Sequence, residues 1–133
     1  MNTTQRYSRK REAILLALRG TTEHPSAETI YTWLKPAHPD LSLGTVYRNL
    51  SFFMENGDII SVGTVDGQER YDGNAAPHAH FICKNCGRVI DVDIPDILEA
   101  RDKSVEDSAG VSVTGHAATF TGLCADCRQR ETQ

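Results

Sequence analysis

No apolar run in this 133-residue sequence approaches the ~18 residues of a membrane-spanning helix, which argues against an integral membrane protein. The first ten residues are polar and basic with no apolar stretch, so no secretory signal is expected and a cytoplasmic location is. A surplus of positive charge is also missing. The formal net charge is −4, which is not what nucleic-acid binders usually show. There is no internal repeat and no low-complexity segment, and no catalytic motif accompanies any cluster of titratable residues, so an enzyme is not expected. The length suits one domain or two small ones.

Cysteine is scarce but patterned. The chain has four, in two identical spacings, Cys83-x-x-Cys86 and Cys124-x-x-Cys127. In a cytoplasmic protein such pairs bind metal or cycle as dithiols more often than they form structural disulfides. Four thiolates in two knuckles meet the tetrahedral demand of a structural Zn(II), and Gly87 after Cys86 fits the sharp turn of a knuckle. The alternatives are two thioredoxin-like dithiols or unrelated buried cysteines.

Charge distribution says more than its sum. Arg6, Arg9, Lys10, Arg11 and Arg19 meet only Glu12 in the first twenty residues, whereas Asp91 to Asp107 is acid-rich. A basic end on an acidic body can still present a phosphate-seeking face. Helical periodicity follows. Ser8 is expected to cap a first helix with Ala13, Ile14, Ala17 and Leu18 inward, ending at Gly20. Ser26 should cap a second with Ile30, Trp33 and Leu34 inward, stopping before Pro36. Ser42 should open a third that runs to Asn56-Gly57. Two β-prone segments, Ile59 to Val65 and Glu69 to Tyr71, flank the hairpin signal Asp66-Gly67. Three helices and a hairpin make a winged helix-turn-helix. In the third helix Leu43, Val46, Leu50 and Phe53 form the core face, leaving Gly44, Tyr47, Arg48 and Ser51 outward. That outward face suits a major groove, with Arg48 able to bridge guanine and Tyr47 to pack on a thymine methyl or a phosphate. A solvated helix face is the competing reading.

Gly73 to Pro77 reads as a linker. Past it, His80 to Cys83 and Arg88 to Asp93 should be strands, Pro95 should start a helix carrying Ile97, Leu98 and Val105 to about Gly110, and Val111 to Leu123 should be one long strand. The tail from Arg128 is expected to fray. The fold class is therefore α+β, an N-terminal winged helix-turn-helix domain followed by a small α/β domain with a four-cysteine zinc site.

A second ligand set surrounds His78-x-His80. Residues two apart in a strand share a side, so the two imidazoles can converge on one ion, with Asp72 before them and Asp91 or Asp93 after. Nitrogen and oxygen donors suit Fe(II), Mn(II) or Co(II) better than a thiolate site does. A hydrolytic metal centre, or surface histidines near acids by chance, are the alternatives. His24, His38 and His116 are weak evidence taken singly.

Together these motifs resemble the ferric uptake regulator family over nearly the whole chain. The matching stretches are His24-Pro-Ser-Ala-Glu-Thr-Ile-Tyr31, Leu41-Ser-Leu-Gly-Thr-Val-Tyr-Arg-Asn-Leu50, Arg70-Tyr-Asp72, His78-Ala-His80-Phe-Ile-Cys83 and both knuckles. The resemblance implies a homodimeric, metal-dependent repressor of a palindromic DNA operator. Its DNA-binding domain would span residues 1–72, the hinge 73–77 and the dimerisation domain 78–133. It implies that Tyr47 and Arg48 read bases and that Arg6 reaches the minor groove or backbone; Ser42 and Thr45 join them as expected DNA contacts. It assigns the regulatory Fe(II) or Mn(II) to His24, Asp72, His78, His80 and Asp91, adding His24 and choosing Asp91 over Asp93. Aspartate at 72 and 91 looks more like the peroxide-sensing PerR branch, in which Fe(II)-dependent oxidation of a ligand histidine (His24 or His78 here) releases DNA. The alternative is an iron- or manganese-responsive regulator of metal uptake. Many relatives build a further site around the HxH motif; Pro77 and Ala79 stand there in this chain, so His116 is assigned no metal.

Overall fold

The computed structural model describes residues 3–95 and 99–131, with side chains described for 9–95 and 100–130. Contacts divide the chain into two units, Met1–Ala75 and Ala76–Gln133.

The first unit opens with helix α1 (Thr3–Arg19), followed by α2 (Ala27–Leu34) and α3 (Leu43–Glu55). The first helix begins five residues before Ser8, which is therefore an interior residue and not a cap. The other two caps form as the sequence dictates. The Ser26 hydroxyl accepts from the Thr29 N–H at 3.2 Å and the Ser42 hydroxyl accepts from the Thr45 N–H at 3.1 Å, each satisfying a donor that the helix start leaves open. Ile14, Leu18, Ile30, Leu41, Val46, Leu50, Phe53, Ile59 and Tyr71 close around one core. Trp33 does not join it; it is 40% exposed, and Ile30 takes the inner face of α2.

Strands β1 (Ile60–Val65) and β2 (Gln68–Asp72) pair antiparallel as the wing. Asp66 and Gly67 both have positive φ (52° and 79°), the geometry that a two-residue hairpin turn requires. The wing is anchored to the loop ahead of α2: the Tyr71 N–H donates to the Pro25 carbonyl at 3.0 Å. The Arg70 guanidinium donates to the backbone carbonyls of Glu23 and His24. Gly73, the first residue of the expected linker, packs against the end of α1. A Cβ there would sit 2.8–2.9 Å from the backbone of Leu18 and Arg19, so the end of α1 demands glycine.

The second unit holds a three-stranded sheet in the order β4-β3-β5, with β3 (Ala79–Cys83) antiparallel to β4 (Val89–Val92) and parallel to β5 (Thr119–Gly122). Helix α4 (Glu99–Ala109) and a terminal helix α5 (Ala125–Glu131) complete it. Three expectations change here. Only residues 119–122 of the long predicted strand pair in the sheet; 111–118 are irregular, and His116 lies among them. Pro95 itself is not helical and α4 is described from Glu99; residues 96–98, Ile97 and Leu98 among them, lie outside the described residues, and Val105 is 49% exposed. The tail does not fray from Arg128: the Arg128 N–H donates to the Cys124 carbonyl at 2.8 Å, so the second knuckle starts α5 directly. Asp126 in its first turn and Arg128 and Arg130 in its last complement the helix dipole.

Candidate metal centres and nucleic-acid interface

The two cysteine pairs meet. Cys83 ends β3, Cys86 follows in the turn to β4, and Cys124 and Cys127 bracket the start of α5. Their four sulfurs lie within 4.8 Å of one another. Cys86 Sγ and Cys124 Sγ are 3.8 Å apart, about the sulfur–sulfur edge of ~3.8 Å that a tetrahedron with Zn–S bonds near 2.3 Å requires. All four are free thiols. The surroundings favour ionisation unevenly. Backbone N–H groups, that of Cys86 first, draw the Cys83 thiol down to about 6, and the Cys127 N–H draws Cys124 down. Cys127 rises to about 11: the Asn85 amide pulls it down, but Cys124, burial and the other two sulfurs push it up further. Four thiolates this close repel one another unless a cation sits among them, and these residues fit a structural Zn(II). Asn85 was not singled out in the sequence; its amide donates to Cys127 Sγ at 3.3 Å.

The nitrogen and oxygen donors appear as two sets, one in each unit. In the first unit the Arg70 clamp holds His24 in a left-handed conformation (φ 53°), and His24 Nε2 lies 3.2 Å from Asp72 Oδ2 with both side chains buried. In the second unit the β3–β4 register sets His80 opposite Asp91. Asp91 Oδ1 lies 2.8 Å from His78 Nε2 and 3.3 Å from His80 Nε2, and the two imidazole centroids are 4.3 Å apart. Two imidazoles converging on one carboxylate oxygen is a donor set that a harder divalent ion fits. Asp93 lies beyond the end of β4. His116 has a partner that sequence reasoning did not anticipate: its Nδ1 lies 2.9 Å from Asp102 on α4.

On α3, Gly44, Tyr47, Arg48 and Ser51 are exposed, as the helical projection requires. Thr45 is buried. Its hydroxyl lies 2.8 Å from Ser42 Oγ and accepts from Arg48 Nη2 at 3.0 Å, so it orients Arg48 on the face. Ser42 is the helix cap. The Arg6 side chain lies outside the described residues. Three residues that the sequence reading passed over support this face. The fully buried Asn49 donates to the Thr45 carbonyl at 2.9 Å and accepts from Arg11 Nε at 2.8 Å, tying α1 to α3. The Arg11 guanidinium stacks 3.8 Å above the Phe52 ring. A polar residue between Val46 and Leu50 on the inner side of α3 was the available signal for Asn49. Glu28 on α2 accepts from the Tyr47 hydroxyl at 2.9 Å, and nothing in the sequence pattern announced that pairing.

The model of the ferric uptake regulator family matches residues 2–121. This chain belongs to the ferric uptake regulator family. It is a metal-responsive transcriptional regulator of that family. It is 33% identical over 129 residues to the ferric uptake regulation protein of Campylobacter jejuni, covering 95% of this chain and 82% of that one. To the peroxide-responsive repressor PerR of Staphylococcus saprophyticus it is also 33% identical over 129 residues, covering 97% and 86%. The crystal structure of the Campylobacter jejuni peroxide stress regulator superposes with a TM-score of 0.76 at 26% identity, covering 96% of this chain and all of that one. All three carry the names of regulators. No helix among the described residues is long and apolar enough to cross a membrane.

Proposed function

We propose that this protein is a homodimeric repressor that binds a palindromic double-stranded DNA operator when a regulatory Fe(II) or Mn(II) is bound, and that hydrogen peroxide ends repression by oxidising a ligand histidine. Residues 1–72 are the DNA-binding domain, 73–77 the hinge and 78–133 the dimerisation and metal-binding domain. The observation that carries this reading is the separation of donor types: all four thiols gather in one cluster, leaving only nitrogen and oxygen donors in the His24–Asp72 set of the first unit and in the His78, His80 and Asp91 set of the second.

A bound Fe(II) would supply the one-electron reduction of hydrogen peroxide beside an imidazole. The remaining work belongs to the chain. His24 and Asp72 come from the first unit and His78, His80 and Asp91 from the second, so ligands drawn from both would favour one arrangement of the two over others. Only such differential affinity can shift the population toward a DNA-binding form. Oxygen added to the ring of His24 or His78 would weaken that ligand and the preference with it. Support for a dimer comes from β5, which among the described strands pairs with β3 alone and exposes Phe120, leaving an edge for a second copy. Two copies would set two α3 helices at the spacing of two half-sites.

The equal similarity to the ferric uptake regulation protein of Campylobacter jejuni favours a second reading, an iron- or manganese-responsive repressor of metal uptake genes without peroxide sensing. One experiment separates the two. DNA binding is measured with Fe(II) or Mn(II), before and after stoichiometric peroxide, with mass spectrometry of the peptides holding His24 and His78. Loss of binding for the iron form alone, with a gain of one oxygen on either histidine, supports peroxide sensing. Persistence of both forms supports the metal-uptake reading.

A further inference from the structure

We propose that Glu28 fixes the hydrogen-bonding polarity of Tyr47, so that Tyr47 reads a base-edge amino group on the DNA and not a base-edge acceptor or a phosphate. This deepens the function proposed above and rests on its placement of α3 in the major groove.

A phenol carries one proton to donate and lone pairs to accept with. An ionised carboxylate is an acceptor only. The Tyr47 oxygen stands 2.9 Å from Glu28 Oε1, so the phenolic proton must lie between them; turned outward, it would leave oxygen lone pairs facing each other at that distance. Glu28 is held for this role. It lies in the first turn of α2, where the helix dipole favours its negative charge, and it is half-buried. A second carboxylate reinforces the polarity. Glu69 on the wing accepts from the Tyr71 hydroxyl at 3.1 Å; the hydrogen bond to Glu28 first, then burial and the charges of Glu28 and Glu69, hold the Tyr47 phenol protonated beyond its ordinary range. Tyr47 itself is 42% exposed, and among the described residues its oxygen accepts no hydrogen bond. What it offers the groove is therefore an acceptor.

In the major groove the donors are the amino groups of adenine and cytosine; guanine and thymine present acceptors at the corresponding edge. Phosphate oxygens are acceptors too, so a Tyr47 fixed in this way gains nothing from the backbone. An acidic residue on a DNA-facing surface then has a purpose. It costs some attraction to phosphate and confers a preference for adenine or cytosine on the contacted strand.

The test uses full-length protein carrying zinc and Mn(II), with a randomised duplex pool as probe and sequencing of the bound fraction. Wild type should prefer adenine or cytosine at one position per half-site, by roughly three- to tenfold, the range of a single hydrogen bond. Tyr47→Phe should flatten that position alone. Glu28→Gln should move it toward guanine or thymine, because an amide can donate to the phenol and release its proton to the groove. Glu28→Ala should leave the position indifferent. Trp33 emission and far-ultraviolet circular dichroism confirm that each variant is folded. If Tyr47→Phe flattens a position while Glu28→Gln keeps the wild-type preference, the polarity proposal fails and the placement of α3 stands. Should Tyr47→Phe leave every position unchanged, the reading role of Tyr47 fails with it. Absence of any Mn(II)-dependent selection by wild type overturns the proposed function and this inference together.

Discussion

Removing the zinc should unfold the second unit and spare the first. Among the described residues between 76 and 131 the buried apolar ones are Ala79, Val89 and three of the four cysteines, Cys83, Cys124 and Cys127, with Phe81 and Leu123 packed against those three. Without an ion the thiols of this cluster repel one another when ionised. A structural zinc contributes about 10–16 kcal/mol of apparent binding free energy at neutral pH, against a net stability of about 5–15 kcal/mol for a whole domain. The ion's contribution is therefore as large as the net stability of a whole domain, whereas the first unit has its own core of Ile14, Leu18, Ile30, Val46, Leu50 and Phe53. The perturbation is a strong chelator under reducing conditions, or Cys124→Ser, with zinc content checked by elemental analysis. Limited proteolysis with mass spectrometry should show cleavage throughout residues 78–131 and protection of 9–72. Trp33, the single tryptophan, should report a first-unit melting transition that survives. Zinc-free protein that stays protease-resistant over 78–131 would refute the reasoning.

Four further outcomes are expected. Gly73→Ala places a Cβ within 3 Å of the Leu18 and Arg19 backbone and should cost about 1–3 kcal/mol, read as a lowered first-unit melting temperature with zinc content unchanged. Leu50→Ala, at a fully buried position of α3, should cost about 2–5 kcal/mol by denaturant unfolding. Asn49→Ala removes both the acceptor for Arg11 and the donor to the Thr45 carbonyl and should cost about 1–2 kcal/mol by denaturant unfolding. Asp91→Asn should weaken Mn(II) binding at least tenfold in competition with a fluorescent chelator while leaving one zinc per chain; an unchanged Mn(II) affinity would remove Asp91 from the ligand set.

The parts of the molecule legible in the sequence were those set by local chemistry. Ser26 and Ser42 cap their helices because a hydroxyl ahead of an amphipathic run has an open N–H to satisfy, and Asp66-Gly67 turns the wing because both positions tolerate positive φ. The register that sets His80 beside Asp91 follows from a short hairpin around the first knuckle. Pairings that close over long separations were not legible. Glu28 and Tyr47 are 19 residues apart, Arg11 and Asn49 are 38 apart, and neither leaves a periodic trace. Periodicity also misled where its premise failed. The Thr- and Val-rich run from Val111 reads as a strand, but only Thr119–Gly122 finds a partner strand. Trp33 sits at an inward spacing on a helix of two turns whose inner face Ile30 already fills. The tail reads as polar and unpatterned, yet Cys124 supplies the carbonyl that starts α5.

The central claim is that regulation uses nitrogen and oxygen ligands while the cysteines stay committed to zinc. It is tested most directly by fluorescence anisotropy of operator duplex, drawn from the randomised pool, with protein carrying zinc alone and Mn(II) then titrated in. The account predicts tight binding only after Mn(II), lost in His80→Ala at unchanged zinc content. Equal binding by the zinc-only protein, or Mn(II)-dependent binding that survives in both His80→Ala and His24→Ala, would contradict it.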